Sequence, residues 1–379
     1  MASQKKKICF IVSTPVTANA FLLNHIKGLS DFFEVYLVAN LDSSVQPNVT
    51  YLSGIHHLEI ERKPNIFKDL FCVFRLFRYL RKNNFSAIHS VTPKAGLIAM
   101  LSSFFSGIPV RVHIFTGQVW HTRIGVGKLL LKLLDKLIAR LSTHVLVDGK
   151  SQRDFLISNR IITKDKSVVL GAGSISGVNK SQFFIDTSIR DFYREKYKIS
   201  ADVVVFSFMG RLNCDKGILD LAFAFNKLNS KYNNIALFLI GFDEEHLKES
   251  IINQYNNDNI VFIDYTNEPF KILQMADVFC LPSYREGFGT SVIEASMLEL
   301  PIICSDTYGL KETIIENRTG LRFEVGNRDE LFSCMERLYL DSSMRINLGK
   351  NGRRYVLENF DADIITNEWV NFYKKLLVE

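Results

Sequence analysis

The sequence lacks the paired cysteines of a zinc site or a disulfide framework. None of its six cysteines forms a Cys-x-x-Cys pair, and several lie in apolar, strand-like runs where a free thiol behaves as a small hydrophobic side chain. Scattered thiols of this kind suit a reducing cytoplasm. We therefore expect neither a metal site nor a disulfide among Cys9, Cys72, Cys214, Cys280, Cys304 and Cys334.

Long apolar runs, internal repeats and low-complexity tracts are also missing. No stretch reaches the about 18 consecutive apolar residues that a transmembrane helix needs. The run ICFIV that follows the basic start is too short for the core of a signal peptide and is better interpreted as a buried first strand. These absences predict a cytoplasmic protein.

Charge is divided unevenly along the 379 residues. Residues 1–180 contain 24 Lys and Arg against 10 Asp and Glu, whereas the remainder contains 22 against 30. The two parts therefore carry formal charges of +14 and −8, which give the +6 of the whole chain. The basic part favours a polyanionic neighbour, which a membrane surface, a nucleic acid or phosphorylated ligands would each supply.

Strand-like runs alternate with helix-length amphipathic segments along the chain, which predicts an α/β fold with parallel sheets. The length exceeds what one hydrophobic core usually serves, and a Gly- and Ser-rich stretch at 171–184 indicates a boundary. We predict one domain at 1–180 and a second at 200–358. An amphipathic helix at about 360–379 either closes the second domain or packs back on the first.

The second predicted domain contains a strand that runs into GRLNCDKG at 210–217. A strand followed by a glycine and a helix directs free backbone N–H groups and a positive helix end toward one point, where an anion can bind. Arg211 can bind a phosphate bidentately there, and Lys216 can act as a point charge. The pattern predicts a diphosphate site, although two solvated loop cations would look the same.

A second motif, REGFGTSVIEA, follows the strand-like run VFCLPS. Gly287 and Gly289 allow backbone amides to approach a phosphate closely. If a helix begins near Gly289, Glu294 lies just over one turn into it and can bind a vicinal diol, while Glu286 can hold sugar hydroxyls. The preference of helix N-termini for acidic residues would explain Glu286 but not the glycines and Glu294.

SYREGFGTSVIEA resembles the E-x7-E signature of retaining glycosyltransferase family 4, and GRLNCDKG resembles the phosphate motif of that family. LPIICSD, GLKETI and NRTGLRF resemble the block that follows, with Glu299-Leu300 in place of the usual small residue and glycine. The matches cover about residues 203–330 in the right order. The resemblance implies a GT-B fold, in which two Rossmann-like domains with parallel sheets face each other across a cleft.

The resemblance also implies a donor site that needs no metal and no cofactor. Arg211 and Lys216 would neutralise the diphosphate, amides near Gly289 would bind its distal phosphate, Glu294 would hold the ribose, and Glu286 the transferred sugar. The acceptor would attack the sugar on the face that the phosphate leaves, with the leaving phosphate as base. Catalysis would then depend on positioning and on charge stabilisation. The implied donor-binding residues are Arg211, Lys216, Asp264, Tyr265, Glu286, Gly287, Phe288, Gly289, Thr290 and Glu294, of which Arg211, Lys216 and Glu286 are also catalytic.

The first predicted domain departs from the family pattern on its acceptor side. IHSVTPKAGLIA resembles the H-x-H-x-P-K-A-G stretch of relatives in bacterial surface-polysaccharide assembly, but Val91 replaces the second histidine. Thr116-Gly117 replaces the His-Gly of many relatives, so a histidine-based role is not expected there. The candidate acceptor contacts are Ser13, Thr14, Asn19, Lys94, Thr116, Gly117 and Gln118.

Two basic amphipathic segments predict contact with an anionic membrane. In GKLLLKLLDKLIARLS the cations recur every four residues beside a leucine face, and in IFKDLFCVFRLFRYLRKNN arginines neighbour phenylalanines. Alternatively, the apolar faces pack on the sheet and leave solvated cations outside. The two interpretations are compatible if the leucines face the core and the cations face lipid. The cations are Arg75, Arg78, Lys128, Lys132, Lys136 and Arg140.

These residues predict a peripheral enzyme on the cytoplasmic face of the inner membrane. It would transfer a sugar, by family habit an N-acetylhexosamine, from a UDP-sugar to a polyprenyl-diphosphate-linked saccharide in O-antigen or capsule assembly. One alternative is a nucleotide-sugar 2-epimerase, which shares the fold but would lack E-x7-E. The other is a non-enzymatic nucleic-acid-binding protein, which would need stacking platforms or base-reading motifs that this sequence does not contain.

Overall fold

The computed structural model describes residues 5–42, 45–61 and 65–378. The chain divides into two compact units, Met1–Gly177 with Ala362–Glu379, and Val178–Asp361. Each unit contains one parallel sheet covered by helices, which confirms the predicted α/β class and its two Rossmann-like domains. The second unit begins at Val178. The segment 181–199, which lay between the two predicted domains, therefore belongs to the second unit.

The first sheet is built from short strands that are mostly buried on both faces, as expected from β-branched and aromatic residues without polar alternation. Its strands are β1 (Lys7–Ile11), β2 (Glu34–Ala39), β3 (Gly54–His57), β4 (Ala87–Val91), β5 (Val110–Phe115), β6 (His144–Val147) and β7 (Ser167–Val168). Within the described residues their order is β3-β2-β1-β4-β5-β6-β7, and all are parallel. The half-exposed edge strand β3 has no apolar run to reveal it and was not predicted.

Helices cover both faces of this sheet. They are α1 (Pro15–Phe21), α2 (Leu23–Ser30), α3 (Ile66–Asn83), α4 (Pro93–Phe105), α5 (Gly125–Leu141) and α6 (Lys150–Ser158). The helices from α3 to α6 share one hydrophobic core, and α2 contributes to the other. Among the described residues, no helix is both long and apolar enough to cross a membrane.

The second sheet has the order β10-β9-β8-β11-β12-β13, given by β8 (Val204–Met209), β9 (Ile235–Ile240), β10 (Ile260–Ile263), β11 (Val278–Leu281), β12 (Ile302–Ser305) and β13 (Gly320–Phe323). Its helices are α7 (Thr187–Lys196), α8 (Ile218–Asn229), α9 (Leu247–Tyr255), α10 (Pro269–Ile272), α11 (Thr290–Met297), α12 (Arg328–Leu340) and α13 (Ser342–Asn359). Arg190 and Arg194 of α7 bind Asp277 at 2.6 and 3.3 Å, which ties α7 to the amino end of β11.

The last helix, α14 (Ala362–Leu377), packs on α2 and belongs to the first unit. Its Trp369 is buried and stacks on His25 and His89, with ring centroids 4.3 and 4.7 Å apart. Tyr373 hydrogen-bonds His89 Nδ1 at 2.7 Å. A side chain at Gly28 would place Cβ 2.7 Å from Thr366, so α2 and α14 approach closely because this position has no side chain.

The buried His25 gives the first unit a testable pH dependence. Burial lowers its pKa from 6.5 to about 4, although Nε2 donates a hydrogen bond to the Ile175 carbonyl at 2.6 Å. Between these values the unfolded chain binds a proton that the folded chain excludes. The stabilisation is therefore complete above about pH 6.5 and falls by about 1.4 kcal/mol per pH unit toward pH 4.

We expect His25→Gln to remove this part of the pH dependence, because the amide can still donate to Ile175 but does not titrate. Urea unfolding of both proteins at several pH values between about 7 and 4.5 measures the difference in slope. Other titrating groups are common to both proteins and cancel in the comparison. Equal slopes would show that His25 does not exclude the proton.

Candidate functional site

Two loops lie where the strand order of the second sheet reverses. The loop at 210–217 follows β8, and the loop at 282–289 follows the neighbouring strand β11. In open α/β sheets, ligands bind in the crevice beyond the carboxyl ends of strands at such a reversal. The topology therefore places GRLNCDKG and REGFG together at the position best suited to a ligand.

Backbone contacts fix these two loops against each other. The Tyr284 N–H donates to the Asp215 carbonyl at 2.8 Å, and the Arg285 side chain donates to the Asp215 carboxylate at 2.9 and 2.8 Å. Gly217 has a φ of +70°, and a Cβ there would lie 2.1 Å from the Pro282 carbonyl oxygen. Only glycine permits this close approach. Together these contacts hold the two loops in place before any ligand binds.

Lys216 and Glu286, which were predicted on separate loops, are in direct contact. Lys216 Nζ donates to Glu286 Oε1, and Ser283 Oγ donates to the same oxygen at 2.8 Å. Both charged side chains are largely buried, with 19% and 10% of their surfaces exposed. The pair therefore presents one cation and one carboxylate at a fixed position in a weakly solvated site.

Arg211 is held by a carboxylate that the sequence analysis did not single out. Its Nη1 lies 2.8 and 2.6 Å from the two carboxylate oxygens of Glu244, which also accepts from Asn213 Nδ2 at 2.7 Å. Glu244 follows β9, beside β8. In the sequence, Glu244 was indicated only by its position after a strand-like run, within the acidic sequence DEEH.

The helix α11 begins where the spacing predicted. Gly289 is its N-cap and has a φ of +67°. No side chain caps the helix, so no capping side chain accepts a hydrogen bond from its first-turn amides, which include those of Thr290 and Ser291. A Cβ at Gly289 would lie 2.3 Å from Leu310 Cδ2. Gly287 and Phe288 complete the turn between Glu286 and the helix, with Phe288 packed on Phe360.

Glu294 lies just over one turn into α11. Part of its surface is accessible, but the carboxyl group is deep enough that burial raises its pKa to about 8. The raised pKa favours the neutral acid, which can both donate and accept a hydrogen bond. Such a group can bind two adjacent hydroxyls.

Asp264 and Tyr265 follow β10, two strands from β8 at the same edge of the sheet. Both are exposed, Tyr265 by 71%. Their position is compatible with a flat group that extends along the sheet edge from the two loops. Among the described residues, no cluster of three or more His, Cys, Asp or Glu could hold a metal ion.

The predicted acceptor-side residues lie at the carboxyl edge of the first sheet. Ser13 and Thr14 follow β1, Lys94 lies in the first turn of α4, and Thr116 and Gly117 follow β5. Ser13 Oγ hydrogen-bonds Thr92 Oγ1 at 3.2 Å across the reversal of strand order. Lys94 Nζ lies 2.8 Å from Asp69 Oδ1.

Asn19 and Gln118 are engaged in other contacts. Asn19 donates to the Gln46 carbonyl at 2.9 Å and accepts from the Asn48 N–H at 3.0 Å, so it anchors the loop that precedes β3. Gln118 is only 2% exposed and lies in a network with Gln152 and the Thr116 carbonyl. The side chain faces inward in this structure, and its contact with an acceptor stays a prediction.

The apolar residues of α5 divide between the core and the surface, so its apolar side packs on the core only in part. Leu131 and Leu141 pack against the core, where Ile138 and Ala139 are buried. Leu129, Leu130 and Leu133 are each more than half exposed. Apolar residues extend around so much of this helix that the rest of the unit buries only some of them.

The cations on these helices differ in exposure. Lys136 and Arg140 are exposed, while Lys128 and Lys132 are partly buried. Lys132 Nζ lies 4.9 Å from the centre of the Trp120 ring. On α3, Arg75 and Arg78 are exposed.

Comparison with known proteins identifies relatives for both units. The family model "Glycosyl transferases group 1" matches residues 189–355, and "Glycosyl transferase 4-like domain" matches residues 19–173. The capsular polysaccharide biosynthesis glycosyltransferase CapM of Staphylococcus aureus is 31% identical over 328 residues, which cover 86% of each chain.

Two further proteins match over nearly the full length. The N,N'-diacetylbacillosaminyl-diphospho-undecaprenol alpha-1,3-N-acetylgalactosaminyltransferase of Campylobacter jejuni is 24% identical over 381 residues, 98% of this chain and 99% of the relative. The structure of Anabaena HepE in complex with UDP-glucose has a TM-score of 0.80 at 15% identity and covers 97% of this chain and 99% of that one. The structural likeness supports the GT-B fold.

Proposed function

This chain belongs to the group 1 glycosyltransferases, and we propose that it transfers a sugar, with retention of configuration, from a UDP-sugar to a polyprenyl-diphosphate-linked saccharide. The observation that carries this proposal is the contact between Lys216 and Glu286 at the reversal of strand order. A cation for phosphate and a carboxylate for sugar are held there side by side, beside the uncapped end of α11.

We assign a part of the site to each group of the donor. Lys216, Arg211 and the first-turn amides of α11 bind the diphosphate, and Glu294 binds the ribose hydroxyls. Glu286 holds the transferred sugar. Asp264 and Tyr265 border the base. Arg211 and Lys216 supply the positive charge that a metal ion would otherwise provide, so the proposal includes neither metal nor cofactor.

In the proposed reaction the bond between the anomeric carbon and the diphosphate breaks while the acceptor oxygen forms a bond to the same face of that carbon. The acceptor hydroxyl proton passes to the departing phosphate oxygen, and UDP leaves. Lys216 and Arg211 stabilise the charge that develops on the diphosphate, and Glu286 stabilises the positive charge on the sugar. Because no side-chain base is involved, Thr116 in place of a histidine is compatible with this chemistry.

The relatives support the choice of substrates. HepE was solved with UDP-glucose, and the Campylobacter relative is named for transferring N-acetylgalactosamine to a diphospho-undecaprenol-linked sugar. We therefore propose a UDP-linked N-acetylhexosamine as donor, and polysaccharide assembly at the cytoplasmic face of the inner membrane as the setting. The basic residues of the first unit complement a lipid-linked diphosphate and an anionic membrane surface.

Ligand-induced stabilisation tests the donor directly. A donor that binds the folded protein raises its melting temperature, and a concentration of 100 times Kd stabilises it by about 2.7 kcal/mol. We expect UDP and UDP-N-acetylhexosamines to raise the melting temperature and the corresponding GDP compounds to leave it unchanged. Stabilisation by GDP-sugars alone would overturn the choice of donor.

Glu294→Ala tests the ribose contact. Loss of two hydrogen bonds is expected to weaken UDP affinity about 10- to 100-fold, measured by calorimetry. Glu294→Gln, which resembles the neutral acid, should lose less. The exposed Glu358 on α13 provides the control, because Glu358→Ala removes a carboxylate from another surface of the same unit. Unchanged UDP affinity in Glu294→Ala would disprove the assignment.

A further inference from the structure

Asp148, which directly follows β6, has a buried carboxyl group that the fold leaves without a partner. The residue is 3% exposed, and among the described residues no group forms a hydrogen bond with its Oδ1. Its backbone is fully engaged, since the N–H donates to Gln152 Oε1 at 2.8 Å and the carbonyl accepts from the Ser174 N–H at 2.7 Å. Buried polar side-chain atoms nearly always have a partner, so an unpartnered carboxyl oxygen requires an explanation.

The sheet places Asp148 beside Thr116. In the parallel pair of β5 and β6, Phe115 lies opposite Val147, and Thr116 and Asp148 are the residues that follow them. Neighbouring strands are about 4.8 Å apart, and residues in register share one face of a sheet. Thr116, which was predicted to contact the acceptor, is only partly buried. A hydroxyl that solvent reaches therefore lies next to a carboxyl group that solvent barely reaches.

One buried side chain fixes these two positions relative to each other. Gln152 on α6 accepts from the Asp148 N–H and donates through Nε2 to the Thr116 carbonyl at 2.6 Å. The same Nε2 lies 3.5 Å from Gln118 Oε1, so the inward-facing amide of Gln118 belongs to the support behind the pair. Precise binding sites are built in this way, because an outer layer of hydrogen bonds holds the ligand-contacting groups in place.

The surroundings of Asp148 favour a neutral ligand. Burial raises the pKa of its carboxyl group to about 8, and no neighbouring charge contributes to that shift. The raised pKa favours the neutral acid, which can donate one hydrogen bond and accept others. A phosphate buried here would meet no positive charge, and a cation would have to ionise the acid. A hydroxyl needs only the donor and acceptor that the neutral acid provides.

We propose that Asp148 selects the saccharide acceptor: its carboxyl group forms a hydrogen bond with one hydroxyl of the acceptor sugar, and the Thr116 hydroxyl contacts the same sugar. A sugar without that hydroxyl leaves the buried acid unpaired. Sites built to hydrogen-bond a hydroxyl reject such analogues by factors that reach about 10⁴ to 10⁵. The inference rests on the proposed function for the class of acceptor, and it adds the residue that distinguishes one acceptor sugar from another.

Kinetics with short-chain acceptors measure the contribution of Asp148. The probes are farnesyl diphosphates linked to N-acetylglucosamine or N-acetylgalactosamine, offered with UDP-N-acetylhexosamines, and the pair that wild type uses fastest is kept. We expect Asp148→Ala to raise the KM of that acceptor at least about tenfold. UDP affinity should be unchanged, because the proposed donor contacts belong to the second unit.

Two further variants accompany this measurement. Asp148→Asn keeps one acceptor and gains donors at the same position, so its KM for the acceptor should rise less than that of Asp148→Ala. Asp154→Ala is the matched control, because it removes an exposed carboxylate from α6 in the same unit. We expect its KM for the acceptor to equal that of wild type.

Deoxy analogues identify the recognised hydroxyl. Each analogue lacks one hydroxyl but keeps the one that is glycosylated. With wild type, the analogue that lacks the recognised hydroxyl should lose at least about 100-fold in kcat/KM, and the others should lose less. Asp148→Ala should use that same analogue nearly as well as the parent acceptor. This result isolates the contact, because the effects of changes that do not interact are additive.

Melting curves separate recognition of a sugar from support of the fold. Asp148→Ala removes a buried polar group whose Oδ1 has no partner among the described residues, so we expect the variant to melt at or above the temperature of wild type. Gln152→Ala removes hydrogen bonds to both backbones and should melt lower. A water molecule that tied Asp148 to the protein would have the opposite consequence, a lower melting temperature of Asp148→Ala with an unchanged KM for the acceptor.

The assignment of Asp148 fails if Asp148→Ala melts below wild type or leaves the KM of the acceptor unchanged. It also fails if both proteins lose the same factor with every deoxy analogue. If wild type transferred sugar to neither acceptor while UDP-sugars still stabilised it, the acceptor of the proposed function would be wrong. A lower melting temperature of Asp148→Ala would then refute the role of Asp148 on its own.

Discussion

Glu286→Gln is expected to lower the kcat of sugar transfer about 10²- to 10³-fold while UDP affinity changes little. The carboxylate contacts Lys216 and accepts from Ser283 at 2.8 Å, so it is positioned before the sugar arrives. The amide keeps the size of the side chain but cannot stabilise positive charge on the sugar, and losses of this size follow removal of one preorganised electrostatic contact. Product formation from a UDP-sugar, followed by chromatography, measures kcat.

A matched variant distinguishes stabilisation of the sugar by Glu286 from a role in which Glu286 only positions Lys216. Ser283→Ala removes one hydrogen bond to Glu286 but leaves the carboxylate and its contact with Lys216, so we expect a loss of less than about tenfold. Removal of one member of a largely buried ion pair also destabilises the fold, which a melting curve reveals. If Glu286→Gln transferred sugar at nearly the wild-type rate, Glu286 would be a partner of Lys216 only.

The positions of the proposed donor residues in the fold could be predicted because the signal is local. A strand, a glycine and a helix start lie close together in sequence, so Lys216 and Glu294 were placed on the correct elements without tertiary information. That Lys216 and Glu286 meet depends on β8 and β11 being neighbours, which the family resemblance implied and spacing alone did not. The pairing of Arg211 with Glu244 joins residues 33 apart in the loops after two neighbouring strands. The sequence offered no signal for it beyond the position of an acidic run after a strand.

Apart from the edge strand β3, what the sequence could not predict is the direction of individual side chains. Gln118 was placed correctly after β5, but its amide turns inward to a network that no sequence pattern reveals. The sequence left open whether the leucines of α5 face the core, because apolar periodicity shows that a helix has an apolar side but not what that side contacts. Where apolar residues extend around most of a helix, as in α5, packing decides which of them are buried.

The second large effect is expected from Gly309→Ala, a change behind the site rather than in it. Gly309 lies in the turn Tyr308–Leu310 that follows β12, and a Cβ there would lie 2.2 Å from the Glu286 carbonyl oxygen and 2.8 Å from that of Gly287. These are backbone atoms, so the loop that carries Glu286 must move to admit a methyl group. A displacement of about 1 Å at a reacting group can cost about 10²-fold in rate.

We expect Gly309→Ala to lower kcat/KM at least about 100-fold and, unlike Glu286→Gln, to weaken UDP binding as well. The difference arises because the shifted loop also carries the turn into α11, whose amides bind phosphate in the proposed function. Gly127→Ala on α5 is the control, since a Cβ at that position meets no atom within 4 Å beyond its chain neighbours and its own helix backbone. If Gly309→Ala retained UDP affinity but lost transfer, the loop would position only the sugar, and the phosphate contacts would rest on Arg211 and Lys216 instead.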